Sequence, residues 1–188
     1  MEKEITNVKK ISNNNSKLPK IYMYILYFFI FSFLGWVAET LYSFVVLGHF
    51  TNRGFLYGPI CPIYGFGALI LIIFLSKYKN SGFKLFTYSA IIFSAFEYFV
   101  SYMLEALFKA YWWDYSNDFF NLNGRISIFY SFAWGISALL FCGYIFPYFK
   151  KKLNLILSKI PYKLKIFAIN LLLIVWVIDT IISCINYL

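Results

Sequence analysis

Long apolar stretches dominate this sequence and decide which solvent the chain can fold in. Five of them, separated by shorter polar segments, cover residues 21–47, 59–76, 85–108, 126–149 and 166–187. About 20 apolar residues of helix cross the hydrocarbon of a bilayer, and the stretch at 59–76 is near the lower limit. With 61% hydrophobic and only 13% charged residues, the chain has too much apolar surface for a water-soluble domain. The sequence therefore predicts an all-α integral membrane protein, a polytopic bundle of about five transmembrane helices.

The basic residues predict how this bundle is oriented. Of the 17 basic residues, 14 fall in segments 1–20, 77–84 and 150–165, which alternation of the spans places on one side of the membrane. Because Lys and Arg are retained on the cytoplasmic side, the N-terminus is predicted to be inside and the C-terminus outside. This distribution accounts for the net charge of +9 without a nucleic-acid partner. Residues 1–20 are predicted to be a disordered basic cytoplasmic tail, and residues 21–188 the transmembrane helical domain.

The second apolar stretch has an unusual start. It opens with Pro59 and Pro62 and continues with Gly65 and Gly67. Irregular backbone is predicted for its first turns, and such backbone needs protein or water around it at membrane depth. The sequence leaves open whether this stretch crosses the membrane fully or is partly re-entrant.

Four acidic residues lie inside the predicted spans, where a charge at the bilayer centre costs about 2.5–3.5 kcal/mol. They are Glu39, Glu97, Glu105 and Asp179. Helix rise places Glu39, Glu97 and Asp179 about 12–16 Å below the outer surface and Glu105 nearer to it. Ser, Gly and Asn residues at helical spacing accompany these acids, so their helix faces are predicted to point into the bundle.

The only two arginines lie on the predicted outer side, beside glycines, whereas the chain uses 15 lysines elsewhere. The planar guanidinium group can form two parallel hydrogen bonds with a carboxylate or a phosphate, which an ammonium group cannot. Arginine at these two positions therefore indicates a carboxylate or phosphate partner. These acids and arginines are predicted to form one charge cluster. Two roles remain open for it, binding of a substrate and structural ion pairs that hold loops against the bundle. Asp114, beside two tryptophans, either caps Arg125 or contributes to the site, and the sequence does not decide which acid pairs with which arginine. The full candidate cluster is Glu39, Arg53, Glu97, Glu105, Asp114 and Arg125.

A lysine-flanked amphipathic pattern follows the fourth apolar stretch, at Leu153, Ile156, Leu157 and Ile160. The spacing i, i+3, i+4, i+7 predicts a helix with one apolar face. Two interpretations remain open, a helix lying on the anionic inner leaflet and a docking surface for a cytoplasmic partner.

Motifs for nucleotide chemistry are missing from the sequence. It contains neither G-x-x-x-x-G-K-[ST] nor G-x-G-x-x-G, and its one His and three separated Cys form no metal-ligand pattern. No metal and no cofactor are therefore predicted, and whether the chain is an enzyme stays open.

Several segments resemble a family of bacterial membrane proteins, the CmpB-like ABC-transporter type IV family. The matching stretches are 33–39 (FLGWVAE), 52–59 (NRGFLYGP), 62–67 (PIYGFG), Glu97-Tyr98 with Glu105, 113–116 (WDYS) and 121–125 (NLNGR). The resemblance implies a permease that works with a separately encoded cytoplasmic ATPase. Because five spans are few for a permease, it also implies a homo-oligomer.

Three functions follow as hypotheses. The first is an ABC transporter membrane subunit that moves an unknown substrate. The second is a membrane enzyme that acts on a lipid or lipid-linked substrate at the outer leaflet, with the carboxylates as acid–base groups and the arginines holding phosphate. The third is a membrane regulator or assembly factor, in which the charge cluster is structural.

Overall fold

A computed structural model gives the structure of residues 18–51 and 53–188, so most of the predicted tail lies outside the described residues. The first helix is α1 (Lys20–Leu47), and α2 (Pro62–Ile70) is extended by a π-helical turn (Leu71–Leu75) and a 3₁₀ turn (Ser76–Tyr78). The remaining elements are α3 (Gly82–Phe108), the strands β1 (Asn121–Leu122) and β2 (Ile126–Ser127), α4 (Ile128–Leu140), a π-helical turn (Phe141–Ile145), α5 (Phe146–Ser158) and α6 (Tyr162–Tyr187).

Four helices of the described chain are long and apolar enough to cross a membrane, which identifies a multi-pass, all-α membrane protein. They are Lys20–Leu47, Gly82–Phe108, Ile128–Ser158 and Tyr162–Tyr187. The second predicted span contains a shorter apolar helix, Pro62–Tyr78. At 1.5 Å per residue this helix is about 25 Å long, less than the roughly 30 Å of a hydrocarbon core. Four of the five predicted spans are therefore long helices and the second contains a shorter one, and the number and orientation of the crossings stay predictions.

The backbone between α1 and α2 is irregular, as the prolines predicted. Helix α1 ends at Gly48, whose φ of +73° belongs to the left-handed region that suits glycine. The chain then returns along α1, because the Cys61 N–H donates to the Ser32 carbonyl at 3.0 Å. Ser32 lies about 22 Å before the end of α1 at Leu47. Residues 53–61, named here the extended segment, therefore reach the middle of α1 before α2 begins.

Helix α2 packs antiparallel against the first half of α1. Gly65 lies so close to α1 that a Cβ there would be 2.1 Å from Ser32 Oγ and 2.6 Å from the Phe28 ring. Further along, Ala68 packs with Tyr27 and Phe31 in one apolar cluster. Small residues at this contact let the two backbones approach, which is how helices associate in lipid.

Helices α3 and α4 form a second antiparallel pair. Ser94 Oγ donates to Ser131 Oγ at 2.6 Å, and a Cβ on Gly135 would lie 2.5 Å from the Phe86 ring. The small residues Ser131 and Gly135 therefore lie where α3 and α4 approach each other closely. A second apolar cluster joins this pair to the end of α2 through Leu75, Leu85, Phe93, Ala138 and Cys142.

The amphipathic segment is not a separate helix. Helix α5 continues from α4 through the π-helical turn, and the continuous helix of 31 residues is about 46 Å long. Leu153 is buried and Leu157 packs against the same apolar cluster as Tyr27, whereas Ile156 is 57% exposed. The four predicted docking residues therefore do not share one exposed face, since the period of the pattern reflects packing against α1.

The bundle has two chemically different ends. Lys20, Lys150 and Lys165 lie around one cavity, and this end is called the lysine-rich end. At the opposite end the rings of Phe55, Phe108, Trp112 and Tyr187 contact one another, with centroid separations of 5.0–6.1 Å. The β1–β2 hairpin and Arg125 belong to this second end, called the aromatic end.

Candidate functional site

Glu39 is positioned by α1 and held by a tyrosine of α2. The Tyr64 hydroxyl donates a hydrogen bond to Glu39 Oε1. The ring of Tyr64 lies against Gly35, one turn before Glu39, where any Cβ would be 2.3 Å from the ring. A glycine at this position therefore lets the tyrosine pass close to α1 and reach the carboxylate.

The extended segment is fixed at depth by Asp179 of α6. The Tyr57 N–H donates to Asp179 Oδ1 at 3.1 Å, and the Gly58 N–H donates to Oδ2 at 2.9 Å. Asp179 lies eight residues before Tyr187, or about 12 Å of helix. These bonds satisfy backbone donors that lack a helical partner inside the membrane, where an unpaired group costs several kcal/mol. Asp179, which the sequence analysis did not include in the charge cluster, thus binds the backbone of the extended segment.

Glu97 is buried in α3 and accepts two hydrogen bonds from aromatic side chains. The residue is 5% exposed. The Tyr115 hydroxyl donates to Oε1 at 2.9 Å, and Trp134 Nε1–H donates to Oε2 at 2.9 Å. Both carboxylate oxygens are thereby occupied by donors from the hairpin loop and from α4.

Tyr64 and Tyr115 link the half-buried Glu39 with the buried Glu97 in one cluster. The two tyrosines lie within electrostatic range of each other, and Tyr115 lies within range of Glu39 as well as Glu97. Tyr115 also stacks on Tyr130, with ring centroids 4.3 Å apart. Burial, and then the Glu97 carboxylate, raises the pKa of Tyr115, so its hydroxyl stays protonated at neutral pH and remains a donor. Neither Glu39 nor Glu97 forms an ion pair with a residue of the described chain.

Arg125 pairs with Glu105, a choice of partner that the sequence had left open. Arg125 Nη2 contacts Glu105 Oε2 in the ion pair, and Nη1 donates to Ser101 Oγ at 3.3 Å. The guanidinium carbon lies 5.6 Å from the ring centroids of both Tyr98 and Tyr102. Since Ser101 and Glu105 follow Glu97 at steps of four, this face of α3 aligns the ion pair above the buried carboxylate.

The β1–β2 hairpin presents Arg125 to α3. The turn residues Asn123 and Gly124 have φ of +53° and +68°, as a type I′ turn requires, and the Arg125 N–H donates to the Leu122 carbonyl at 3.0 Å. The Trp113 indole N–H donates to the Arg125 carbonyl at 3.0 Å. The Asn-Gly pair was the signal from which the hairpin could have been predicted.

Asp114 stabilises the loop beside the hairpin and does not cap Arg125. Its Oδ1 accepts from the Ser116 hydroxyl and, at 2.9 Å, from the Ser116 N–H. Both bonds hold the pKa of Asp114 below its ordinary value of about 3.9, and the bond from the Ser116 hydroxyl has the larger effect. A lowered folded-state pKa means that this stabilisation is complete above the ordinary value and is lost as the pH falls through the lower one.

Arg53 begins the extended segment. Its carbonyl accepts from the Cys61 thiol at 3.6 Å, and its Nε is buried without a hydrogen-bond partner within the described ranges. The Nε of Arg125 is likewise buried and unpartnered there. The structure does not pair Arg53 with Glu97 or Glu39, although the sequence had suggested either pairing.

Sequence analysis identified the acids of this cluster but missed their aromatic partners. Tyr64, Tyr115 and Trp134 are three of many aromatic residues in a chain that is 24% aromatic, so composition did not single them out. The described residues contain no group of three or more His, Cys, Asp or Glu that could hold a metal ion.

Comparisons with known proteins place this architecture in a family. The chain matches no curated protein and no solved structure. A family model matches residues 26–184, a region that contains every residue of the cluster and all four long helices except the ends of the first and the last. The chain therefore belongs to the family described as "Putative ABC-transporter type IV".

Proposed function

We propose that the protein is the membrane subunit of an ABC transporter and moves its substrate past the carboxylates of Glu39 and Glu97 with a separately encoded ATPase. Family membership supports transport in general. The observation that carries the proposal is the extended segment, which brings non-helical backbone to the middle of α1. Such backbone occurs at membrane depth where protein buries it or where it lines a cavity, and transporters build substrate sites on discontinuous helices.

The charges of the cluster favour a cationic substrate or one rich in hydrogen-bond donors. Glu39 and Glu97 accept hydrogen bonds only from tyrosine and tryptophan side chains of the described chain, so no basic side chain neutralises them. Substrate donors in place of the Tyr64 and Tyr115 hydroxyls would leave both carboxylates satisfied. This exchange of donors is the step that we expect to accompany binding.

The ATPase would bind at the lysine-rich end, where α5 leaves the bundle. Leu155 and Ile156 are 56% and 57% exposed there and adjoin the exposed lysines 150–152. Apolar side chains surrounded by charged ones are typical of protein interfaces. The docking surface proposed here is therefore the outward face of α5, with Ile156 kept from the sequence prediction.

Purification from native membranes tests this function. Tagged protein extracted in mild detergent should copurify with an ATPase in a fixed stoichiometry, and Ile156→Ser should remove the ATPase while the chain stays folded. Ile182→Ser is the matched control, since Ile182 is 46% exposed on α6, at the other end of the bundle. An ATPase that never copurifies, or that both variants retain, would contradict the proposal.

A lipid-modifying enzyme is the second candidate, and one observation favours it. The Nε groups of Arg53 and Arg125 are buried and have no partner within the described ranges, so each could donate to a phosphate. This candidate predicts that Arg53→Lys abolishes activity on a lipid-linked phosphate without loss of folding. Stable protein without ATPase, with no such activity and no bound lipid, would instead favour a membrane regulator or assembly factor.

A further inference from the structure

A cavity of about 640 Å³ opens at the lysine-rich end of the bundle, between α1, the turns that extend α2, α5 and α6. Three lysines from three helices line it, Lys20, Lys150 and Lys165. Lys165 is only 4% exposed, whereas Lys20 and Lys150 are exposed at the rim. Cationic groups therefore occur both inside this cavity and at its mouth.

All charged residues in the described lining of this cavity are basic. Among the described lining residues none is acidic, and the uncharged polar groups are Ser76, Asn154 and Ser158. Lys20 and Lys150, both exposed at the mouth of the cavity, raise the local concentration of anions there. The Asn154 amide beside them can supply a further donor for an anionic ligand, whereas the Ser76 and Ser158 hydroxyls already donate to backbone carbonyls.

The inner surface of the cavity is apolar. Met23, Tyr27, Ile72 and Leu157 line it below the lysines. A free inorganic anion gains nothing from such a surface, whereas an amphiphile fills it with hydrocarbon and keeps its charged group at the rim. Because these lysines lie at the ends of membrane-spanning helices, the amphiphile nearest to the cavity is a lipid of the adjoining leaflet.

We propose that this cavity binds an anionic phospholipid of the leaflet at the lysine-rich end. The lipid phosphate lies between Lys20 and Lys150, and the first part of its chains lies along Tyr27 and Ile72. Basic pockets between transmembrane helices bind such headgroups in the same way. The inference is independent of the proposed transport function, since none of these residues belongs to the carboxylate cluster.

Lipid retention tests this site on the full chain. Purified protein is reconstituted with phosphatidylglycerol and phosphatidylcholine in equal amounts, and the lipids that remain bound are counted by native mass spectrometry. The wild-type chain should retain phosphatidylglycerol preferentially, and Lys20→Gln and Lys150→Gln should each lower the preference about fivefold. Lys151→Gln is the matched control, because Lys151 is the exposed neighbour of Lys150 and does not line the cavity.

Four results would overturn the proposal. The first is equal retention of the two lipids, and the second is an equal effect of Lys150→Gln and Lys151→Gln. The third is complete displacement of phosphatidylglycerol by millimolar inorganic phosphate, which would indicate a site for a free anion. The fourth is a cross-link between Ile72 and residues 1–17 that persists in phosphatidylglycerol, which would assign the cavity to the tail. Thermal unfolding of each variant excludes loss of folding as the cause, and either of the two single variants suffices if the other does not fold.

Discussion

Glu97 shows how a single residue in this bundle is stabilised without a counter-ion. Its two carboxylate oxygens accept from Tyr115 and Trp134, and the residue is almost completely buried. Hydrogen bonds to a charged group contribute about 1.5–3 kcal/mol each, which offsets part of the cost of burial. Removing the acceptor leaves two aromatic donors in an apolar interior.

Replacement of Glu97 by leucine should therefore destabilise the chain by about 2–5 kcal/mol, since each buried donor that loses its acceptor costs about 1–3 kcal/mol. Glu97→Gln keeps an oxygen acceptor and should cost less than half as much. The midpoint of thermal unfolding in mild detergent measures both. Equal midpoints for the two variants would show that the hydrogen bonds of Glu97 do not matter for stability.

Gly124 is the residue on which the hairpin depends most. Its φ is +68°, and a Cβ there would lie 2.5 Å from Ser116 Oγ and 2.6 Å from Asp114 Oδ1. Gly124→Ala should cost at least about 1–2 kcal/mol from the left-handed backbone alone. We expect a lower unfolding midpoint and weaker positioning of Arg125.

Gly143→Ala is the control for this change, because a Cβ at Gly143 meets nothing within 4 Å. Since alanine favours helix over glycine by up to about 1 kcal/mol, this variant should be neutral or more stable. Loss of stability in Gly143→Ala equal to that in Gly124→Ala would refute the explanation through the turn.

At the scale of elements, the extended segment and α2 form one unit, which hydrogen bonds to α1 and α6 hold in place. Ser32 fixes the segment through its carbonyl, and Asp179 fixes it through both carboxylate oxygens. No strand or helix stabilises the segment internally, so its position depends on these contacts. Its order should therefore respond to a single change on α6.

Asp179→Asn tests this dependence. An amide has one acceptor oxygen where the carboxylate has two, so one of the N–H groups of Tyr57 and Gly58 loses its partner. The Cys61 thiol, which is 4% exposed, should then react faster with a membrane-permeant maleimide. Cys142, 5% exposed in the other apolar cluster, is the internal control and should not change. An unchanged rate at Cys61 would mean that Asp179 does not hold the segment.

Sequence patterns predicted the elements of the bundle better than the contacts between them. Apolar length gave four helices near their observed positions, and Pro59 with Pro62 gave the irregular start of the second stretch. The stripe from Leu153 to Ile160 did not reveal which of its residues pack inside the bundle, because helical periodicity does not distinguish a face that packs on α1 from a face that meets lipid or a partner. The pairing of Arg125 with Glu105 could not be predicted from the sequence either, because it depends on where the hairpin contacts α3.

At the scale of the whole molecule, charge and aromatic residues are separated along the bundle. The lysines surround the cavity at one end, and Phe55, Trp112 and Tyr187 pack together at the other. Helix α1 begins at the lysine-rich end, whereas α6 ends at the aromatic end. This arrangement leads us to expect that the extended segment and α2 together carry the chain across the membrane.

Fusions to a reporter measure this topology. Green fluorescent protein inserted after Asn80 should fluoresce, and alkaline phosphatase fused after Leu188 should be active, since lysine-rich loops are retained in the cytoplasm. Because three long helices lie between residues 80 and 188, these positions stay on opposite sides in either case. With the N-terminus inside, the reverse result, with residue 80 outside and residue 188 inside, would show that residues 53–78 do not cross.

The two π-helical turns have a mechanical consequence. Leu71–Leu75 and Phe141–Ile145 meet in the same apolar cluster, so both interrupted helices have their weakest point in one layer. Helices bend most easily at such turns, where the regular hydrogen-bond ladder is disturbed. We therefore expect the lysine-rich third of the bundle to tilt about this layer when a force acts on α5.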